Sequence, residues 1–182
     1  APGRNNLSTP RKEADEPEIL SGFFQGKTTG TPLCAIIRNN NTKSRDYGKL
    51  KDIMRSGHAD YTGKIRYNGF NDYRGGGHFS GRITAPIVFA GAICKQILEA
   101  KGIKIVSHIK SIGTIEDKSF LDEKITEGFI NSYMSKELPL IDELKEEAMR
   151  KEILLAKEEL ESIGGTVECA VLGIEPGIGN PF

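Results

Sequence analysis

The sequence predicts an α/β (α+β) fold, a layered sandwich, from three observations. An apolar run fit for a buried strand, Thr31 to Arg38, stands near the front of the chain. Two helix-compatible stretches follow, Ser80 to Ala100 and Ile141 to Ile163. Alternating strands, Ile103 to Ile115 and Thr166 to Leu172, come after each of them. Strands and helices in alternation bury their apolar faces most simply by stacking in layers. At 182 residues the chain suits a single domain with a real core.

In chain order, residues 1–18 are polar and carry Pro2, Pro10 and Pro17, which predicts an extended lead-in. Ser21 to Gly30 holds glycine turns, and Thr31 to Arg38 is the first strand. Asn39 to Asp46 is a polar loop rich in asparagine, and a short helix is predicted over Tyr47 to Met54. Residues 57–81 show no period of either kind and are expected to form a long loop, a class of segment that commonly carries function. Ser80 is an N-cap for the next helix and Gly102 its stop. In the strand from Ile103, Ile103, Ile105, Ser107 and Ile109 share one face, and Lys104, Val106, His108 and Lys110 the other. Asp117 to Leu140 is weakly patterned. Leu144, Ala148, Ile153, Leu155 and Leu160 form the apolar stripe of the last helix, which Gly164-Gly165 closes.

Composition narrows the function. Net charge is zero, yet residues 1–82 carry 14 Lys and Arg against 8 Asp and Glu, and residues 83–182 carry 11 against 17. The first part therefore faces anions. Its basic residues stand singly among glycines rather than in runs, which favours a small-anion pocket over a nucleic-acid track. The longest apolar run, Ala85 to Cys94, is shorter than a membrane span and reads as a buried helix. Cys34, Cys94 and Cys169 are far apart, with no CxxC pair, and are expected as buried, reduced thiols in a cytoplasmic protein.

The chemistry concentrates in Arg55-Ser56-Gly57-His58-Ala59-Asp60 and Arg74-Gly75-Gly76-Gly77-His78-Phe79-Ser80-Gly81-Arg82. A glycine-rich turn opening a helix offers free N–H groups and a positive dipole end to anions. Flanking arginines add bidentate donors. His58 is either a hydrogen-bonded structural residue or a proton-transfer group, and Asp60 either orients it or caps a turn. His78 would donate to a phosphate or ring carbonyl, or merely cover the turn; His108, within a strand, reads as structural. The histidines lack metal-ligand spacing, so no metal is expected. No GxSxG elbow, Walker A motif or GxGxxG motif is present.

At these residues the chain resembles the chorismate synthase family, and the match runs nearly end to end. It takes in Pro2-Gly3-Arg4, Thr9-Pro10-Arg11-Lys12-Glu13-Ala14-Asp15, Leu20-Ser21-Gly22, Gly26 to Pro32, Arg38-Asn39 and Asp46-Tyr47. It continues through Gly57 to Tyr61, Asp72 to Thr84, Val88, Gly91-Ala92, Gly164 to Glu168 and Pro176 to Gly179. The resemblance implies the layered β-α-β-α sandwich of that family, here incomplete, and a lyase of the shikimate pathway, in aromatic amino acid biosynthesis. Such a lyase converts 5-enolpyruvylshikimate 3-phosphate to chorismate and phosphate by anti-1,4 elimination, using reduced FMN. It implies His58 as the histidine beside the reduced flavin, residues His78, Phe79 and Ser80 as the flavin-contacting segment, and Arg4, Arg74 and Arg82 for phosphates and carboxylates. It implies a homotetramer at full length, with no nucleic-acid or membrane partner, and leaves open whether NADPH serves as reductant.

The departures shape a second expectation. Many members carry Arg-Ser where this chain has His78-Phe79, and an acidic residue where it has Ile83. A Gly-Glu-Ser-His-Gly motif with a second histidine is absent, as are the later binding residues of the family. The chain therefore reads as an internal portion, a single partial domain over residues 1–182. The alternative function is a catalytically incomplete module that binds FMN or anions without turnover.

Overall fold

The computed structural model describes residues 5, 7, 14–39, 47–48 and 51–179. Arg4 lies outside them, as do most of the polar lead-in and residues 40–46 of the asparagine loop. The chain divides into two compact units, Ala1–Ile93 and Cys94–Phe182. Mixed helices and small sheets make both of the predicted α+β class.

In the first unit, β1 (Pro17–Ser21) pairs antiparallel with β4 (Cys34–Ile37). Between them a short hairpin joins β2 (Phe23–Phe24) to β3 (Lys27–Thr28). Gln25 and Gly26 form its two-residue loop with φ of 47° and 80°, the left-handed pair that matches strand twist in so tight a turn. The predicted strand is thus confirmed but shorter, Cys34–Ile37. Of the helix predicted over Tyr47 to Met54, residues 49 and 50 lie outside the described residues, and the rest forms no α-helix.

The stretch expected as a long loop instead contains α1 (Asp60–Arg66) and a 3-10 segment, Arg74–Phe79. Helix α1 escapes the periodicity test because the residues it buries are Asp60 and Gly63. Its packing surface is a glycine: a Cβ on Gly63 would lie 2.6 Å from Cε2 of Phe79. Asp60 at the front and Lys64 and Arg66 in the last turn complement the helix dipole.

Helix α2 (Thr84–Glu99) follows a 3-10 turn, Gly81–Ile83, capped by Ser80 as the sequence predicts. None of its residues is buried, and Ile87, Val88 and Ile97 are more than half exposed. The expectation of a buried helix therefore fails. The stretch Gly81–Glu99 is also long and apolar enough, by length and composition only, to cross a membrane. Cys34, Cys94 and Cys169 are likewise exposed and free, against the expectation of buried thiols. Apolar character in a segment predicts burial only where another element covers it, and among the described residues these faces are open.

The second unit holds a three-stranded antiparallel sheet in the order β6-β5-β7, made of β5 (Lys104–Ile112), β6 (Ile115–Glu116) and β7 (Gly165–Leu172). Its core is Val106, Phe120 and Tyr133, with Phe129 and Ile130 of α3 (Glu127–Met134) packed around them. Thr126 caps α3 by accepting from the Phe129 N–H at 3.2 Å. The buried face of β5 is the one bearing Val106 and His108. Its neighbours Ile105 and Ile109 lie opposite Val171 and Val167 on the other, more open face.

Helix α4 (Glu146–Glu158) is shorter than the predicted Ile141 to Ile163. Asp142 instead caps a 3-10 turn at Glu143–Lys145. At the other end Leu160 takes φ of 58° and the Glu161 N–H donates to the Ala156 carbonyl at 2.8 Å. This is the helix-ending geometry in which glycine usually occupies the left-handed position. Leu160 is 93% exposed, so it gains little burial in return for that strain. Leu160→Gly is expected to raise unfolding stability by about 1 kcal/mol, read as a higher denaturation midpoint at unchanged slope.

Candidate functional site

The first unit has an open cleft of about 900 Å³. Four arginines line it, Arg38, Arg55, Arg74 and Arg82, together with His58, Tyr47 and Ser80. Ala35, Ile37, Pro86 and Phe89 give it an apolar wall. That size and mixture are those of a small-molecule site, for which ~300–1,000 Å³ is usual.

The turn ahead of α1 organises the histidine. Asp60, 7% exposed, accepts from Arg55 three times: Nε at 2.8 Å, Nη2 at 2.9 Å and the backbone N–H at 3.1 Å. Its Oδ1 also lies 2.7 Å from Nδ1 of His58. The Arg55 guanidinium holds the Asp60 carboxyl well below the usual carboxylate range, outweighing the opposing effect of burial. Arg55 is raised in turn, first by Asp60. Its Cζ sits 5.9 Å from the Tyr47 ring centroid, a cation–π contact.

The triple glycine seats the ring. Gly75, Gly76 and Gly77 all have positive φ, at 64°, 85° and 50°. A Cβ on Gly76 would stand 3.0 Å from Nε2 of His58, and one on Gly77 only 2.8 Å from the Asp72 carbonyl. Asp72 anchors the start of this loop by accepting from Arg74 Nε at 2.9 Å, Nη2 at 3.0 Å and the backbone N–H at 3.0 Å. Those bonds, the side-chain pair first, lower the Asp72 carboxyl. Where the loop enters its helix, Ser80 accepts from the Arg82 N–H at 3.3 Å, and Thr84 donates to the Gly81 carbonyl at 2.7 Å. Arg38, just after β4, is paired with Glu18 of β1 at 2.9 Å.

Of the residues singled out from the sequence, His58, Arg74, Ser80 and Arg82 line the cavity together. His78 and Phe79 are not among its lining residues. Phe79 packs on Gly63 and lies 6.4 Å from the Tyr67 ring, with His78 edge-on to it at 5.8 Å. Arg4 lies outside the described residues. Sequence reasoning gave no role to Arg38 or Tyr47, and took Arg55 only as one of the arginines flanking the turn.

Comparison with known proteins gives one answer. The family model described as chorismate synthase matches residues 1–182. The chorismate synthase of Pyrococcus abyssi is 48% identical over 181 residues, covering 99% of this chain and 49% of that protein. That of Thermococcus kodakarensis is 43% identical, covering 99% of this chain and 48% of the relative. That of Methanocaldococcus jannaschii is also 43% identical, covering all of this chain and 50% of the relative. A solved crystal structure of chorismate synthase superposes with a TM-score of 0.67 at 36% identity, over 90% of this chain and 46% of that one. The chain thus spans about half the length of the relatives it matches.

Proposed function

The chain belongs to the chorismate synthase family, and on that premise we propose that it carries the flavin-side portion of the site. There 5-enolpyruvylshikimate 3-phosphate loses phosphate to give chorismate. The observation that supports this reading most is the cavity itself, in which His58 stands among four arginines. The substrate and FMN together bring two phosphates and two carboxylates, and arginine is the side chain that binds such groups bidentately.

The donor set fits the flavin: arginines for its phosphate, and Ala35, Ile37 and Phe89 as apolar surface for a ring system. Reduced FMN, when bound, supplies the electron density on which the elimination draws. His58 holds or moves a proton at its ring. Arg74 and Arg82 bind the anionic groups, joined by Arg4. Ser80 contacts the flavin, and His78 and Phe79 hold the backbone that carries it, Phe79 through its seat on Gly63. A cytoplasmic setting and, at full length, homotetrameric assembly belong to the same proposal.

The test is anaerobic release of phosphate from 5-enolpyruvylshikimate 3-phosphate with reduced FMN, by the complete protein that contains this chain. Turnover is expected, with His58→Ala lowering kcat about 10²–10⁴-fold. FMN binding without phosphate release would overturn the lyase reading in favour of a binding module.

A further inference from the structure

We propose that Asp60, with Arg55, is a positioning residue that fixes the tautomer of His58, placing the ring proton on Nδ1 and the lone pair on Nε2. The inference deepens the reading above and rests on it for the role of His58. Nothing in the resemblance or the comparisons gives a role to Asp60 or Arg55.

The geometry decides between the two nitrogens. Nδ1 faces Oδ1 of Asp60 at 2.7 Å, and an ionised carboxylate can only accept. Asp60 is kept ionised by Arg55, whose three donors converge on its two oxygens. Nη2 of Arg55 lies 3.3 Å from Nδ1 and 3.4 Å from Nε2, so the guanidinium favours neither nitrogen and the Asp60 contact decides, with Nε2 seated against Gly76. The partner of one ring nitrogen sets the state of the other. Asp60 thus turns His58 into a proton acceptor at Nε2.

This arrangement also explains why Asp60 is buried at the first position of so short a helix as α1. A carboxylate there complements the positive end of the helix dipole, although it caps none of the helix N–H groups. Here it also accepts from the Arg55 backbone and side chain, and the imidazole shares one of its oxygens. Four polar contacts on one buried group leave the ring little freedom to flip.

The experiment is long-range proton–nitrogen correlation NMR on the histidine-labelled complete protein, with steady-state kinetics on the same samples. In the wild type, His58 is expected to show a protonated Nδ1 and a lone-pair Nε2. Asp60→Asn is expected to mix the tautomers, because an amide can donate to Nδ1, and to lower kcat about 10²-fold while KM moves less than about threefold. Asp60→Glu, which keeps the acceptor, should restore the wild-type nitrogen pattern in part. A wild-type spectrum with the proton on Nε2 would overturn the proposal whatever the variants do. So would an Asp60→Asn protein with unchanged nitrogen signals and unchanged kcat. Full turnover by His58→Ala would instead overturn the proposed role of the histidine, while the wild-type nitrogen pattern would still decide the tautomer.

Discussion

His108→Ala is expected to cost the second unit about 3–5 kcal/mol, the usual penalty for removing one member of a buried charged network. The side chain of His108 is fully buried, with Nδ1 3.3 Å from Asp117 and Nε2 2.7 Å from Glu168. Asp117 also accepts from the Ile141 N–H at 2.7 Å and the Asp142 N–H at 2.9 Å. Glu168 accepts from the Ser119 hydroxyl at 2.7 Å and the Phe120 N–H at 2.8 Å. One imidazole thus ties β5, β7 and two connecting segments at a single buried point, with the Phe120 ring edge-on at 4.4 Å. Alanine would leave two carboxylates facing a void. Equilibrium denaturation should show the loss, a large part of the roughly 5–15 kcal/mol a domain has to spend. A change below about 1 kcal/mol would contradict the tether.

The same network predicts an acid limb. Glu168 is lowered from 4.5 to about 2, first by His108, then by the Phe120 N–H and the Ser119 hydroxyl. A carboxyl lowered on folding contributes its stability above its ordinary value and loses it as pH falls towards the folded one. Wild-type stability should therefore decline between about pH 4.5 and 2. In His108→Ala that dependence should flatten, since the first cause of the shift is gone.

Gly76→Ala is expected to lower kcat about 10²-fold, the scale of a displacement near 1 Å at a reacting group. It should also cost about 1–2 kcal/mol of stability from its left-handed backbone. The added Cβ would press on Nε2 of His58 at 3.0 Å and on Cε1 at 3.1 Å. Gly75→Ala is the control: φ is also positive, but a Cβ there meets nothing within 4 Å. Both variants share the strain, and only one collides with the ring. The ratio of their kcat values isolates the displacement of the imidazole, and equal values would show that the seat on Gly76 is irrelevant to turnover.

Much of the outline was legible in the chain. Strands β5 and β7 and helix α2 stand within a few residues of where alternation, Ser80 and Gly102 put them, because those signals are local. Helix α1 was illegible because it packs through Gly63 and Asp60, so no apolar stripe announces it. The end of α4 was misplaced because Leu160 adopts a conformation normally left to glycine. The site divided in the same way. Glycines and arginines point to an anion pocket by type alone, whereas the grip of Arg55 on Asp60 depends on a turn that only three dimensions reveal. Burial was the least legible property: an apolar residue states a preference, and the covering element decides.

The sheet of the second unit has its polar tether on the covered side and an aliphatic surface on the other. Cys169 stands in the middle of that surface, opposite Ser107 and between Val167 and Val171. The chain thereby carries its own labelling handle. The rate at which a thiol reagent alkylates Cys169 reads directly whether this side of the sheet is bare or shielded. With Cys34 and Cys94, which are also exposed, replaced by serine, a fluorophore attached there would report its shielding in real time.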